Sequence, residues 1–82
     1  MGLYLEIITP DKTIYQGDVE STTLPGTLGT FQVLNNHAPI ISSLAKGALT
    51  YVNEEGTHNL EIDGGVVEVL KNKVVVLAES VL

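Results

Sequence analysis

The sequence predicts an all-β domain of about eight to ten short strands, arranged as a sandwich or a barrel. Three observations favour this class. No stretch of about ten residues places its apolar side chains at the 3.6-residue period of a helix. Short runs instead alternate apolar and polar residues, or are rich in β-branched residues. Gly, Pro, Asn and Asp separate these runs at the spacing expected of turns.

Three short strands are predicted in the first part of the chain. They are residues 3–8, 13–16 and 19–24, separated by turns at residues 9–12 and 17–18. Leu3, Leu5 and Ile7 fall on one face of the first strand, which is the two-residue period of a strand. The third strand, beginning at Val19, is rich in β-branched residues.

Residues 23–41 are predicted to form a shaped corner around which the rest of the chain is organised. Gly and Asn tolerate positive φ, and Pro fixes φ, so Pro25-Gly26, Gly29 and Asn35-Asn36 indicate sharp changes of backbone direction. The apolar residues expected to pack inside the corner are Leu24, Leu28, Phe31, Val33 and Leu34. His37-Ala38-Pro39 is expected to leave the corner extended, because a residue before proline avoids helical geometry.

The last part of the chain predicts a short segment, either strand or helical turn, and four further strands. The segment is residues 40–44, and the strands are residues 48–53, 57–63, 66–70 and 74–78. Glu54-Glu55-Gly56 joins the clearest hairpin, with Leu60 and Ile62 inward, and Lys71-Asn72 is a tight turn. The final two strands are apolar on both faces. We expect the core to cover one face and another chain to cover the other.

Composition restricts the possible partners. The length predicts a single domain over residues 1–82. Ten Asp and Glu residues stand against four Lys and no Arg, for a net charge of −6. Such a surface repels phosphate backbones and anionic head groups, so nucleic acid binding and direct lipid insertion are not expected. A mean hydropathy of +0.25 is high for so small a domain, whose surface should be polar. Part of its surface is therefore expected to be covered by protein.

The sequence offers little for catalysis. It contains no cysteine and no recognisable nucleophile or metal-binding motif, and the Gly-containing segment 25–29 lacks a Lys to meet a phosphate. Glu61 and Asp63 share a strand face and can in principle form an acid–base pair, but a solvated face explains them more simply. His58 is expected to be exposed beside its turn. His37, at the mouth of the corner, either caps the loop by hydrogen bonding or contacts a partner.

Several of these segments together resemble one family, the ε subunits of bacterial F-type ATP synthases, equivalent to the mitochondrial δ subunits. The longest runs from Leu24 to Ile41 and reads LPGTLGTFQVLNNHAPII. The others are residues 44–47 (LAKG), 63–69 (DGGVVEV) and 74–79 (VVVLAE). The resemblance covers the chain from about Leu3 to its end.

This resemblance implies a flattened antiparallel β-sandwich of about ten strands in the central stalk of the rotary motor. One face would pack on the γ subunit and one end would rest on the ring of c subunits, helping to couple proton flow to ATP synthesis. The subunit would make no bond itself and would hold no cofactor or metal. It would lie peripherally on the cytoplasmic face of the bacterial plasma membrane.

The residues expected at these partner interfaces are Thr30, His37, Val67, Val69, Val75 and Leu77. His37 aligns with the family histidine, whereas Thr30 stands where some relatives carry an acid. Family members commonly continue into a two-helix domain that can inhibit ATP hydrolysis. This chain ends at Leu82, so we expect no inhibition by that route.

Two other functions compete with the rotor subunit. One is a free-standing β-sandwich adaptor that binds protein partners by strand addition at an open edge. The other is a small hydrolase that uses Glu61 and Asp63. Co-purification with a large membrane complex would separate the rotor subunit from the adaptor, and measurable turnover would be required of the hydrolase.

Overall fold

Seven β-strands form the fold in the computed structural model, which describes residues 2–82. In chain order they are β1 (Leu3–Ile8), β2 (Thr13–Val19), β3 (Ser21–Gly26), β4 (Gly29–Leu34), β5 (Ile40–Asn53), β6 (Gly56–Leu70) and β7 (Lys73–Ala78). All belong to one hydrogen-bonded sheet in the order β2-β1-β7-β6-β5-β3-β4. Residues 2–82 contain no helix, so the predicted all-β class is confirmed.

The sheet folds over on itself because its two longest strands change the side that faces the core. In β6 the inward residues are Leu60 and Ile62, and beyond Gly64-Gly65 they are Val67 and Val69. Both glycines have positive φ, of 109° and 150°, which lets the backbone bend without ending the strand. In β5 the inward side shifts in the same way after Leu44, the residue that pairs with Gly65.

One hydrophobic core lies between the two halves of the folded sheet. It joins Leu5 of β1 and Val76 of β7 with Leu24 of β3 and Val33 of β4 in a single cluster of buried side chains. Thr22 is also buried, and its hydroxyl donates to the Thr50 carbonyl oxygen at 3.0 Å. This bond satisfies a polar group that would otherwise be costly to bury.

The strand count and one strand direction differ from the sequence prediction. The sequence predicts that glycines at positions 17, 47, 64 and 65 end strands, but β2, β5 and β6 continue through them. Seven strands, two of them with 14 and 15 residues, therefore replace about ten short ones. The pairing of β1 with β7 is parallel, with Leu5 opposite Val74, whereas an antiparallel sandwich was expected. Side-chain alternation is the same for both directions and therefore cannot distinguish them.

The predicted corner is a β-hairpin followed by a short loop. Gly26 pairs with Gly29 where β3 turns into β4. Leu24 and Val33 are fully buried and Phe31 is half-buried, as expected of a packed element. Leu28 and Leu34 are exposed, so their predicted packing was wrong. Leu28 lies at the tip of the turn, and Leu34 lies on the side of β4 opposite Val33.

The two predicted turns of the last part of the chain are confirmed. Residues 54–55 join β5 to β6, with Asn53 opposite Gly56. Lys71 and Asn72 join β6 to β7 with φ of 50° and 62°. Positive φ at both central residues is the geometry of a type I′ hairpin turn, whose twist matches that of the flanking strands.

Candidate partner-binding face

An exposed apolar surface covers one side of β7, of the second half of β6 and of the first half of β5. We call it the outer face and define it by six side chains: Ile41, Val66, Glu68, Leu70, Val75 and Leu77. Ile41 is 74% exposed and Leu77 is 52% exposed. Val66 lies opposite Leu77, and Glu68 lies opposite both Ile41 and Val75. Side chains opposite one another across strands touch, so the six form one continuous surface.

Of the four strand residues predicted at the interface, two are accessible to a partner and two are buried. Leu77 and the half-buried Val75 lie on the outer face. Val67 and Val69 point into the core and are 0% and 1% exposed. Their side chains have no surface to offer a partner, so that part of the predicted interface is wrong.

The error lies in which alternate residues of β6 were assigned to the surface. Val66 and Leu70 were missed, although Glu68 between them gives the signal. A carboxylate is rarely buried without a partner, so Glu68 must face outward, and residues two positions away share its side. Ile41 was missed because residues 40–44 could not be assigned to a strand from their pattern.

Two carboxylates interrupt the apolar surface. Glu6 of β1 lies opposite Val75, and its carboxylate is 3.9 Å from the Lys73 ammonium. That ammonium also lies 5.9 Å from the centre of the Tyr4 ring, within the range of a cation–π interaction. Glu68 is the second carboxylate, and it lies on the other side of Val75.

The loop of residues 35–39 contains His37. The half-buried His37 ring places Nδ1 2.7 Å from the Ala38 carbonyl oxygen, so Nδ1 donates to it. Its backbone N–H donates to the Leu34 carbonyl oxygen at 3.2 Å. The Asn36 N–H donates to the Asn72 side-chain oxygen at 2.6 Å, which ties this loop to the β6–β7 turn. His37 therefore has the predicted capping role, while its contact with a partner stays a prediction.

Thr30 lies well away from His37. It is exposed on the edge strand β4, opposite Pro25, and Leu34 at the far end of β4 is the residue that bonds to His37. Thr30 and Leu34 are four positions apart on β4, a distance of about 13 Å. Thr30 thus lies near the start of β4 and His37 lies in the loop that follows its other end. A contact of Thr30 with a partner stays a prediction.

A cluster of rings closes the folded sheet between β2 and β5. The Tyr15 and Tyr51 ring centres are 4.3 Å apart, and His58 stacks on Tyr51 at 5.0 Å. His58 Nε2 donates to the Asn53 side-chain oxygen at 3.0 Å. His58 is therefore half-buried and packed, rather than exposed as predicted. Burial raises the pKa of Tyr51, with smaller contributions from Tyr15 and Glu55.

The arrangement of acids does not resemble an active site. Glu61 and Asp63 are both exposed on the same side of β6, as expected of a solvated strand face. Within residues 2–82, no group of three or more His, Asp or Glu side chains is placed to hold a metal ion. The same residues form no helix that is long and apolar enough to cross a membrane.

Comparisons with known proteins agree on one family. Residues 2–82 match the model of the ATP synthase delta/epsilon chain β-sandwich domain. An ATP synthase epsilon chain of Nitratidesulfovibrio vulgaris is 47% identical over 79 residues, which cover 96% of this chain and 59% of that protein. That of Desulfosudis oleivorans is 44% identical over 80 residues, 96% of this chain and 60% of the relative. The chain thus spans about three-fifths of the length of these relatives.

Solved structures give the same fold. A chain of the Euglena gracilis mitochondrial ATP synthase, in a structure of its OSCP, F1 and c-ring, superposes with a TM-score of 0.91 at 25% identity, covering 99% of this chain and 52% of that one. A chain from the central stalk and c-ring of the Tetrahymena thermophila enzyme has a TM-score of 0.84 at 16% identity, covering 100% and 66%. The second likeness concerns the fold alone.

Proposed function

The chain belongs to the family of ATP synthase delta/epsilon chain β-sandwich domains, and we propose from this that it is a non-catalytic rotor component of the central stalk. In this role it docks on the γ subunit through the outer face and on the c-subunit ring through one end. It helps to couple proton translocation to ATP synthesis. Its place is then at the cytoplasmic face of a bacterial plasma membrane, as a peripheral part of the complex.

The observation that carries the proposal is the outer face. Four large apolar side chains of this face are between 43% and 74% exposed, and they lie on three adjacent strands. A small domain gains no stability by leaving such a surface in water, and contiguous exposed apolar patches mark protein interfaces. The close-packed core behind them resists deformation, which suits a part that carries torque.

Two separate features, at opposite ends of β4, are candidates for the contact with the c-subunit ring. One is the loop with His37, held to the β6–β7 turn through Asn36 and Asn72. The other is the β3–β4 hairpin tip, whose Thr27 hydroxyl lies 2.9 Å from that of Ser43 on β5. Thr30 lies beside this tip, and Leu28 at its end is 103% exposed. Both features are fixed to longer strands, so they can hold their shape against a moving surface.

A binding measurement with the purified γ subunit of the same organism tests the proposal. The 82-residue chain should bind γ with submicromolar affinity in calorimetry. Leu77→Ser should weaken binding by about tenfold or more, since a buried apolar anchor contributes at least 1–2 kcal/mol. Leu34→Ser is the matched control, because Leu34 is 51% exposed and Leu77 is 52% exposed, yet Leu34 lies on β4, outside the outer face.

Two results would count against the proposal. Failure of the wild-type chain to bind γ would exclude docking. Equal weakening by Leu77→Ser and Leu34→Ser would show that binding occurs but does not use the outer face.

One observation favours a second function, the binding of an extended peptide by strand addition. β4 is an edge of the sheet, and Gly29–Leu34 contains no charged residue and no proline. Edge strands usually carry such residues to prevent pairing with other chains. A pull-down from solubilised membranes separates the two functions, because only the rotor subunit should co-purify with a large complex. Light scattering on the isolated chain then reports any self-association through this edge.

A further inference from the structure

Glu68 occupies the middle of the outer face. It lies between Ile41 on β5 and Val75 on β7, and Val66 and Leu70 are its neighbours on the same side of β6. Its side chain is exposed. Any flat surface that covers the four apolar side chains around it must therefore cover the Glu68 carboxylate as well.

The cation that lines the same part of the surface as Glu68 contacts another carboxylate. Lys73 lines a shallow depression together with Glu68, but its ammonium lies 3.9 Å from Glu6 and over the Tyr4 ring. Among residues 2–82, this contact with Glu6 is the one ion pair within 4 Å. Glu6 and Lys73 thus balance each other, whereas the Glu68 carboxylate has no cation of its own in the described chain.

Covering an unpaired carboxylate is costly. Water stabilises the ion strongly, and loss of that water without a compensating charge or hydrogen bond opposes binding. The surrounding charge adds to this cost, since the chain carries a net charge of −6. A partner can therefore cover the outer face tightly only if it presents a positive group and hydrogen-bond donors at this point.

From this placement we infer that Glu68 is a specificity-determining residue, which selects a partner surface with a cationic side chain set among apolar ones. The inference rests on the proposed docking of the outer face on γ and names the chemistry of that contact. Arginine fits better than lysine, because its guanidinium donates two parallel hydrogen bonds to one carboxylate and is more weakly hydrated.

Binding kinetics with purified γ test the inference, using surface plasmon resonance and the full 82-residue chain. Glu68→Gln removes the charge and keeps the shape. The matched control is Glu61→Gln, which changes the net charge equally on the same strand, but beyond the bend at Gly64-Gly65 and outside the outer face. Thermal unfolding of both variants establishes that they are folded.

The expected result is an increase of about 30-fold or more in the dissociation rate of Glu68→Gln, because loss of one member of a covered charge pair acts on dissociation. Glu61→Gln should change the dissociation rate by less than about twofold, since an exposed charge acts mainly on association. An unchanged or slower dissociation of Glu68→Gln would overturn the inference while leaving docking intact. Absence of wild-type binding would instead refute the proposed docking, and the inference with it.

Discussion

Gly65 is the position at which a single methyl group should be most damaging. A Cβ there would collide with the Leu77 carbonyl oxygen and lie 2.9 Å from the Ala78 Cα, both backbone atoms of β7. Its φ of 150° is also one that other residues rarely adopt. We expect about 1–3 kcal/mol from backbone strain and about 1–3 kcal/mol from the forced separation of β6 and β7. Gly65→Ala should therefore lose about 2–6 kcal/mol of unfolding free energy.

Such a loss is a large part of the stability of a domain of this size, which is about 4–12 kcal/mol. The assay is unfolding in urea, monitored by circular dichroism. The variants are fitted with the wild-type dependence of the unfolding free energy on urea concentration. Gly56→Ala is the control, because Gly56 also has positive φ, of 122°, but a Cβ there meets nothing within 4 Å. Gly56→Ala should therefore lose only the part of the unfolding free energy that comes from backbone strain, about 1–3 kcal/mol. Equal losses for the two variants would refute the close approach of β6 and β7 at Gly65.

Three further predictions use the same assay. Phe31→Ala should cost about 2 kcal/mol rather than the 3–5 kcal/mol of a fully buried Phe, because Phe31 is half-buried; a loss above about 3 kcal/mol would contradict that burial. Asn72→Gly keeps the turn but removes the acceptor for the Asn36 N–H. It should lower the unfolding free energy by about 0.5–1.5 kcal/mol and speed hydrogen exchange of the Asn36 amide. Unchanged exchange at Asn36 would count against this hydrogen bond. Because the pKa of Tyr51 is raised, the folded chain holds that proton more tightly than the unfolded chain. The contribution of Tyr51 to the unfolding free energy should be complete below about pH 10 and be lost as the pH rises above it. The unfolding free energy of Tyr51→Phe should therefore fall less steeply with pH than that of the wild type. An identical pH dependence of the two proteins would exclude this contribution.

Local features of the fold could be predicted because local chemistry determines them. The alternation of Leu3, Leu5 and Ile7 placed one face of β1 in the core, as the structure confirms. Lys71-Asn72 was recognised as a turn between two apolar runs. In each case a few neighbouring residues decide the conformation, so the pattern is sufficient.

Long-range features could not be predicted from the same patterns. Whether Gly64-Gly65 ends a strand or bends it depends on the strand that lies alongside, which is β7 in this fold. The parallel pairing of β1 with β7 joins the two ends of the described chain, and nothing in either segment indicates its partner. The assignment of Val67 and Val69 to the surface failed for a related reason, since a strand that is apolar on both sides does not reveal which side is inward.

The candidate site was predicted in kind but not in detail. An excess of apolar residues on the last two strands predicted a face covered by a partner, and the structure exposes Leu77 on that side, while its contact with a partner stays a prediction. The stacking of His58 on Tyr51 was missed although their hairpin was predicted. The turn was predicted over residues 54–56, whereas residues 54–55 form it, and this difference of one residue sets the register that places the two rings opposite each other.

The position of β1 in the sheet has a consequence for how the chain folds. β1 lies between β2, which follows it directly, and β7, the last of the seven strands in chain order. Until β7 is made, one edge of β1 and the apolar side chains of Leu5 and Ile7 lack their final neighbours. Folding of this sheet must therefore await synthesis of β7, and closing so long a loop makes it slow compared with a sheet of consecutive hairpins.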